Sequence, residues 1–228
     1  MLFDAGNTLI RMDYAAIAAE LARHGARVSA EDVQRAEWAA RVRLDTEAFA
    51  PATTFSTESR DTTERYTRYV LEGVGLSVPM VHAAVMTWRR GYNPPVGLWT
   101  VAEPEAAAAL ALVRARGLAS GVISNSNGTI RGILTSLDLA RHLDVILDSQ
   151  EEGLEKPDPR LFERALARVG ARADETAYVG DLYSVDIVGA RRVGMQAVLM
   201  DPGGCWPALD CDKAPTVLDA VRLLLGDD

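Results

Sequence analysis

Apolar residues at the start of the chain predict a short buried strand that ends at a carboxylate. The stretch Met1-Leu-Phe3 leads to Asp4, and Gly6 and Asn7 follow before Thr8 and a second apolar pair. Gly and Asn adopt positive φ angles at low cost, so we expect a tight turn after Asp4. Because ligands bind outside the carboxyl ends of strands in parallel α/β sheets, the pattern places one carboxylate where a ligand would bind.

Helical spacing of apolar residues dominates the next segment, and we expect no strand between residues 11 and 95. Ser29-Ala-Glu-Asp32 resembles a capping box, and Phe49–Ser59 is a connection rich in Pro, Thr and Ser. Four helices are predicted: Tyr14–Arg23, a helix from Ser29 through Val42, about Asp61 to Leu71, and Pro79 to Arg90. This run of helices predicts a small all-helical domain over residues 12–95.

From residue 96 the pattern changes to strands that alternate with helices across short connections. The predicted strands are Ala119–Ile123, Val145–Leu147, Ala177–Val179 and Gln196–Met200. The predicted helices are Glu103–Arg116, about Thr129 to Leu137, Arg160–Val169, about Ser184 to Arg192, and Thr216–Leu225. This alternation is typical of a parallel sheet with right-handed crossovers. We therefore predict an α/β fold over residues 1–11 and 96–228, with a Rossmann-like parallel sheet and helices on both faces.

Composition narrows the functional classes. The 228 residues are 48% hydrophobic and 25% charged, as in ordinary globular proteins, and their net charge of -8 argues against a nucleic-acid surface. The longest uncharged apolar stretch, Ala106–Val113, is too short to span a bilayer, and we see no secretory signal. We expect a cytoplasmic protein with no membrane partner. Cys205 and Cys211 are expected to be unpaired thiols.

Polar residues stand at several predicted strand ends, and they form four motifs. In chain order these motifs are Phe3-Asp-Ala-Gly-Asn-Thr-Leu9, Val122-Ile-Ser-Asn125, Lys156-Pro-Asp158 and Gly180-Asp-Leu-Tyr-Ser-Val-Asp186. With these motifs the chain resembles the haloacid dehalogenase-like hydrolases. The resemblance covers residues 1–11 and 96 to about 200. The predicted helical domain matches the α-helical cap of that family in position and type, not in any motif.

The resemblance implies a phosphatase-type hydrolase in which Asp4 is the nucleophile. A carboxylate can form a covalent aspartyl intermediate, which splits one difficult step into two. By resemblance, Lys156 pairs with nucleophile and phosphate, Ser124 and the amide of Asn125 hold phosphate oxygens, and Thr8 contacts the substrate. The implied substrate is a small phosphorylated molecule, and we expect a monomer or a homodimer.

Mg²⁺ is the cofactor that the resemblance implies. Asp4, Asp181 and Asp186, with the backbone carbonyl of Gly6, would form the oxygen-rich site that this ion prefers. Each of the polar motif residues taken alone also has a structural interpretation, as a helix cap or an exposed charge. Their occurrence together at successive strand ends favours one shared site.

Gly6 departs from the pattern of the family. Phosphatases of the family usually carry a second Asp at this position, which protonates the leaving group and then activates water. General acid–base help of this kind is worth roughly 10²–10⁴-fold. A substrate with a good leaving group, such as an acyl phosphate, would need less of it. A base could also come from the helical domain, where His24, Glu20 and Glu47 are candidates.

Two alternatives stay open. A metal-independent 2-haloacid dehalogenase also lacks the second Asp, but such enzymes do not keep the Gly-Asp form of the fourth motif, so Gly180-Asp181 and Asp186 favour a phosphatase. A catalytically weak or inactive member that acts by binding is the other alternative, and the intact Asp4 and Lys156 weigh against it. Phosphonate-cleaving relatives rely on a cap lysine, and residues 11–95 contain no lysine.

Overall fold

The computed structural model describes residues 1–50 and 56–227. The chain divides into two compact units, Met1–Arg11 with Val101–Asp228, and Met12–Thr100. The domain boundary predicted after residue 95 lies inside the second unit, and the role of that unit as a cap stays a prediction. Part of the predicted connection Phe49–Ser59 lies outside the described residues.

A six-stranded parallel sheet is the centre of the first unit. The strands of the described residues are β1 (Leu2–Phe3), β2 (Ile10–Met12), β3 (Trp99–Ala102), β4 (Gly121–Ser124), β5 (Val145–Asp148), β6 (Ala177–Gly180), β7 (Gln196–Met200) and β8 (Asp212–Ala214). The sheet has the order β5-β4-β1-β6-β7-β8, and every adjacent pair is parallel. The predicted Rossmann-like α/β fold is confirmed.

The short strand β1 occupies the middle of this sheet. Leu2 pairs with Gly121 of β4 and with Tyr178 of β6, and both Leu2 and Phe3 are fully buried. Strands covered on both faces are apolar throughout, which is why β1 and its neighbours lack polar alternation. A Cβ added to Gly121 would lie 2.4 Å from a methyl group of Val145, so the close approach of β4 and β5 requires glycine there.

Helices flank the sheet in the first unit and make up most of the second. Their bounds are α1 (Tyr14–Arg23), α2 (Ala30–Leu44), α3 (Arg60–Gly73), α4 (Pro79–Gly91), α5 (Ala106–Ala115), α6 (Ile130–Ser136), α7 (Ser149–Glu152), α8 (Pro159–Val169), α9 (Val188–Arg192) and α10 (Val217–Leu225). Ser29 caps α2 in a capping box with Asp32, as predicted. A π-helical turn, Tyr183–Ile187, precedes α9 where one continuous helix was predicted.

The prediction that no strand lies between residues 11 and 95 is wrong at its first residues. Strand β2 includes Arg11 and Met12, and it forms a two-stranded sheet with β3, which was also not predicted. Strand β2 has three residues, in which half-buried Arg11 separates buried Ile10 and Met12. One alternation of this length is too short to give a periodic signal.

Two expectations about cysteines and membranes have a structural outcome. In the part of the chain that the structure describes, neither Cys205 nor Cys211 is in a disulfide bond. Within residues 1–50 and 56–227, none of the helices has the length and apolar character needed to pass through a bilayer.

Candidate active site

Asp4 stands directly after β1, where the chain turns sharply. Its backbone amide continues the sheet by donating to the carbonyl of Val179 at 2.8 Å. The turn that follows is held by the carbonyl of Ala5, which accepts the amides of Leu9 and Ile10, each at 2.9 Å. Asn7 has a φ of 52°, in the left-handed region that Asn tolerates. The predicted strand, tight turn and buried carboxylate are all present.

The ammonium group of Lys156 connects three side chains from separate parts of the sequence. Its Nζ donates to Asp4 Oδ1 at 2.5 Å, to Asp186 Oδ1 at 2.8 Å and to the hydroxyl of Tyr178 at 3.0 Å. Lys156 is 4% exposed and Asp186 is 1% exposed, so these charges lie away from water. Hydrogen bonds between ionised partners are the stronger kind, and here they fix the ammonium beside the Asp4 carboxylate.

The π-helical turn after β6 places Asp186 against the start of its own segment. Oδ2 of Asp186 accepts the backbone amides of Asp181 and Leu182 at 3.1 and 2.9 Å. A Cβ on Gly180 would lie 2.5 Å from Cβ and Cγ of Asp186, which explains why the motif needs glycine at this position. Asp181 lies across the site, where one of its oxygens accepts from the Asn7 side-chain amide at 3.0 Å.

Asn125 holds the backbone of Lys156 from both sides. The Asn125 side chain accepts the amide of Lys156 at 2.7 Å and donates to its carbonyl at 3.0 Å. Ser124, buried at the end of β4, donates a long hydrogen bond of 3.4 Å to the carbonyl of Asn125. The Asn125 side chain therefore positions Lys156, a contact that the sequence analysis did not anticipate. The roles of Ser124 and the Asn125 amide as phosphate ligands stay predictions.

Three carboxylates meet at this edge of the sheet. Oxygens of Asp4, Asp181 and Asp186 all lie within 4.8 Å of one another, and the three residues are buried. Such a set of oxygen donors fits a hard divalent cation of the Mg²⁺ type. The structure therefore brings together the three side chains predicted as metal ligands. Gly6, the fourth predicted ligand, is half-buried in the same turn and forms an isolated bridge with Ile10.

The electrostatics of the site reflect burial and crowding of like charges. Burial, assisted by the charge of Asp186 and opposed by the Lys156 ammonium, raises the pKa of Asp4 to about 6. Burial alone would lower the pKa of Lys156, but the charges of Asp186 and Asp4 outweigh it and raise that pKa. The lysine is thus held firmly in its charged form.

Thr8 and Tyr178 complete the description of the site. Thr8 is fully buried, and its hydroxyl makes no hydrogen bond with any described residue. Its predicted contact with substrate stays a prediction. Tyr178 was missed by the sequence analysis because an aromatic residue inside an apolar strand reads as core packing. The signal that could have identified Tyr178 is its hydroxyl group, because a buried tyrosine hydroxyl usually needs a hydrogen-bond partner and β6 ends at the site.

The candidate bases in the helical unit form pairs within that unit. Glu20 accepts from Arg23 at 3.0 Å and lies 3.1 Å from the ring nitrogen of His24. Glu47 accepts from Arg43 at 2.8 Å and from the hydroxyl of Tyr69 at 2.7 Å. Their predicted part in the chemistry stays a prediction.

Comparison with known proteins identifies the family. A sequence model of one protein family, the haloacid dehalogenase-like hydrolases, matches residues 1–194. The chain belongs to the haloacid dehalogenase-like hydrolase family. This match covers all four motifs that carry the active-site residues, from Asp4 in the first to Asp186 in the fourth.

Individual members of the haloacid dehalogenase-like family differ in what they are named for. The phosphoserine phosphatase of Thermus thermophilus is 45% identical over 101 residues, which are 44% of this chain and 41% of that protein. The ribulose-1,5-bisphosphate 5-phosphatase of Halopiger xanaduensis is 38% identical over 100 residues, 43% of this chain and 42% of that protein. The chain thus spans less than half the length of the curated relatives that it matches.

A structural relative covers nearly the whole chain. The crystal structure of 2-haloacid dehalogenase from Pseudomonas syringae pv. Tomato DC3000 is 26% identical, covers 99% of this chain and 97% of its own, and has a TM-score of 0.54. The chain is therefore similar both to named phosphatases and to a named dehalogenase, so the chemistry must be argued from the site.

Proposed function

We propose that this protein is a Mg²⁺-dependent phosphatase of a small phosphorylated molecule that acts through an aspartyl-phosphate intermediate. The observation that carries the proposal is the charge of the buried site. Asp4, Asp181 and Asp186 supply three carboxylates, and Lys156 supplies one ammonium. Two negative charges are left over within this group of four side chains. Because uncompensated buried charge is expensive, the group suits a divalent cation.

The proposed chemistry assigns each residue one task. Asp4 attacks phosphorus, and the bond from phosphorus to the leaving oxygen breaks. Water later cleaves the aspartyl-phosphate intermediate, which releases phosphate and returns the free carboxylate. Lys156, held beside Asp4 Oδ1 at 2.5 Å, neutralises charge on the phosphoryl oxygens. Ser124 and the amide of Asn125 orient those oxygens, and Thr8 contacts the substrate. Asp186 keeps Lys156 in place through the 2.8 Å ion pair.

Mg²⁺ would be held by Asp4, Asp181, Asp186 and the carbonyl of Gly6, and when bound it would supply positive charge to the transferring phosphoryl group. Asp4 and Asp186 both contact the charged Lys156, and Asp181 accepts from the neutral side-chain amide of Asn7. A metal-independent dehalogenase has no evident use for this third carboxylate, so the site supports a phosphatase better.

The substrate class follows from Gly6 and from the relatives. Two relatives are named for the hydrolysis of phosphomonoesters. One substrate is a phosphorylated amino acid, and the other is a sugar bisphosphate. Gly6 cannot transfer a proton to a leaving alkoxide, which favours a substrate whose leaving group departs without an acid. We therefore propose a small metabolite phosphate, with acyl phosphates as the best candidates.

The test is turnover of a panel of phosphomonoesters and acyl phosphates, with 2-chloropropionate included, in Mg²⁺ and in a chelator. Asp4→Asn serves as the control for contaminating activity. We expect phosphate release that requires Mg²⁺ and is lost in Asp4→Asn. Halide release that a chelator does not change would instead assign the chain to the dehalogenases. A folded protein that releases neither product would point to a binding role.

A further inference from the structure

Tyr178 is a fully buried residue of β6 whose hydroxyl lies among the charges of the site. It accepts from Lys156 Nζ at 3.0 Å, and its oxygen is 3.2 Å from Asp186 Oδ1 and 3.3 Å from the carbonyl oxygen of Ile123. The phenol has one proton, which it can donate to either of these two acceptors. None of the catalytic steps proposed above uses this residue.

The number of donors on Lys156 explains why the hydroxyl is there. An ammonium has three N–H groups, and Lys156 has three acceptors: Asp4 Oδ1, Asp186 Oδ1 and the Tyr178 oxygen. With two acceptors one N–H of the ammonium would stay unpaired, whereas three acceptors give every donor a partner and further restrict rotation about the Cε–Nζ bond. We propose that Tyr178 is a positioning residue that locks the Lys156 ammonium against the nucleophile Asp4. This inference rests on the proposed function.

Packing alone does not account for a tyrosine at this position. The Tyr178 ring packs edge-to-face on Phe162, with ring centroids 5.3 Å apart, and a phenylalanine would fill the same space. A buried hydroxyl costs free energy unless it is hydrogen-bonded, so it is retained where its bonds do something. Here each of its bonds leads to Lys156, to the Lys156 partner Asp186 or to the end of strand β4.

The kinetic test is Tyr178→Phe, which removes one oxygen and leaves the ring. Loss of one hydrogen bond to a buried charged group should lower kcat by about tenfold, while KM changes little because Ser124 and the Asn125 amide, the other proposed phosphate ligands, are untouched. Tyr14→Phe is the matched control, since the buried Tyr14 hydroxyl donates to a carboxylate of the helical unit, Glu37, at 2.9 Å. We expect kcat of this control to stay at the wild-type value.

A second readout uses the lysine content of the chain, since Lys156 and Lys213 are its two lysines. Lysine-selective ¹³C labelling therefore gives two ¹³Cε signals, which Lys213→Arg assigns. In a rigid side chain the two Hε protons of Lys156 should be distinct. In Tyr178→Phe we expect them to converge and the ¹³Cε signal to move, with the Lys213 signal unchanged as an internal control.

The two readouts separate this inference from the proposed function. Suppose that Tyr178→Phe loses the distinct Hε signals of Lys156, and that the wild-type protein hydrolyses no phosphate. Positioning by Tyr178 then stands, and the phosphatase assignment fails. If the Lys156 signals of Tyr178→Phe match those of the wild type, the positioning role is overturned, whatever kcat does. An unchanged kcat in an active enzyme overturns it as well.

Discussion

Each of the two units buries a group of charged side chains, and the groups differ in how their charge is balanced. In the helical unit, Glu37 accepts from Arg41 Nε at 2.9 Å and Nη2 at 2.5 Å, from the hydroxyl of Tyr14 at 2.9 Å, and from that of Tyr66. Glu37 and Arg41 thus form a buried ion pair, and both oxygens of the Glu37 carboxylate have donors. Glu37 and Arg41 are 0% and 2% exposed.

The group in the α/β unit is built differently. Its charged members Asp4, Lys156, Asp181 and Asp186 come from three distant stretches of sequence, and carboxylates outnumber ammonium groups by three to one. The comparison teaches a simple distinction. A buried group that cancels its own charge can serve the fold alone, whereas a buried group with excess negative charge needs a cation from outside.

The largest expected effect concerns Asp4, the proposed nucleophile in the unbalanced group. Asp4→Asn keeps the size of the side chain but removes the carboxylate that we propose attacks phosphorus, so kcat should fall by about 10⁴-fold or more. Steady-state phosphate release measures this, with thermal unfolding to show that the variant is folded. Retention of a tenth of the wild-type rate would remove Asp4 from the role of nucleophile.

Substitutions in the balanced group, the Glu37–Arg41 pair, should change the free energy of unfolding. Glu37→Leu leaves the Arg41 guanidinium buried without its carboxylate, which should cost about 3–5 kcal/mol of unfolding free energy. Urea denaturation measures the loss. The double variant Glu37→Leu with Arg41→Met is the control, because replacing both partners by apolar residues is often neutral. A single variant within about 1 kcal/mol of wild type would contradict the structural role of Glu37.

Gly6→Asp sharpens the comparison by adding a fourth acidic group to the site. If the missing acid limits the reaction, hydrolysis of an alkyl phosphate should rise by about 10²-fold. An acyl phosphate, whose leaving group needs little protonation, should gain far less. Parallel kcat/KM measurements on the two substrates decide this. Equal gains on both would show that the added carboxylate acts in some other way than as a general acid.

The smallest expected effect is at Asn125. Asn125→Ala removes both side-chain hydrogen bonds to the backbone of Lys156, at 2.7 and 3.0 Å. We expect a loss of about 1–2 kcal/mol in stability and a fall in kcat of about tenfold. Asn127→Ala, an exposed change in the same loop, is the control for both measurements. An Asn125→Ala enzyme as fast and stable as wild type would contradict the positioning role of the amide.

Much of this architecture could be predicted because local signals agree with the fold. Strand β7 and helix α1 have their predicted bounds, and the turn after Asp4 follows from the tolerance of Asn7 for positive φ. The clustering of Asp4, Asp181 and Asp186 was predicted because their motifs stand at strand ends that meet at one edge of the sheet.

Other features depend on contacts between distant segments, which composition and periodicity do not carry. Glu37 has the sequence context of an exposed helical charge, yet Tyr14 and Tyr66 from neighbouring helices bury it. Tyr178 has the context of a core residue, and its role depends on Lys156, which lies 22 positions away. The contacts of Glu37 and Tyr178 were therefore found only in the structure.

Calorimetric titration of Mg²⁺ into the metal-free protein tests the central claim most directly. The excess negative charge of the α/β unit predicts one binding site, which Asp181→Asn should weaken by about tenfold or more because it removes one of the three clustered carboxylates. The Glu37→Leu/Arg41→Met variant should bind like wild type. Absence of binding to the wild type, or equal binding by Asp181→Asn, would contradict the account.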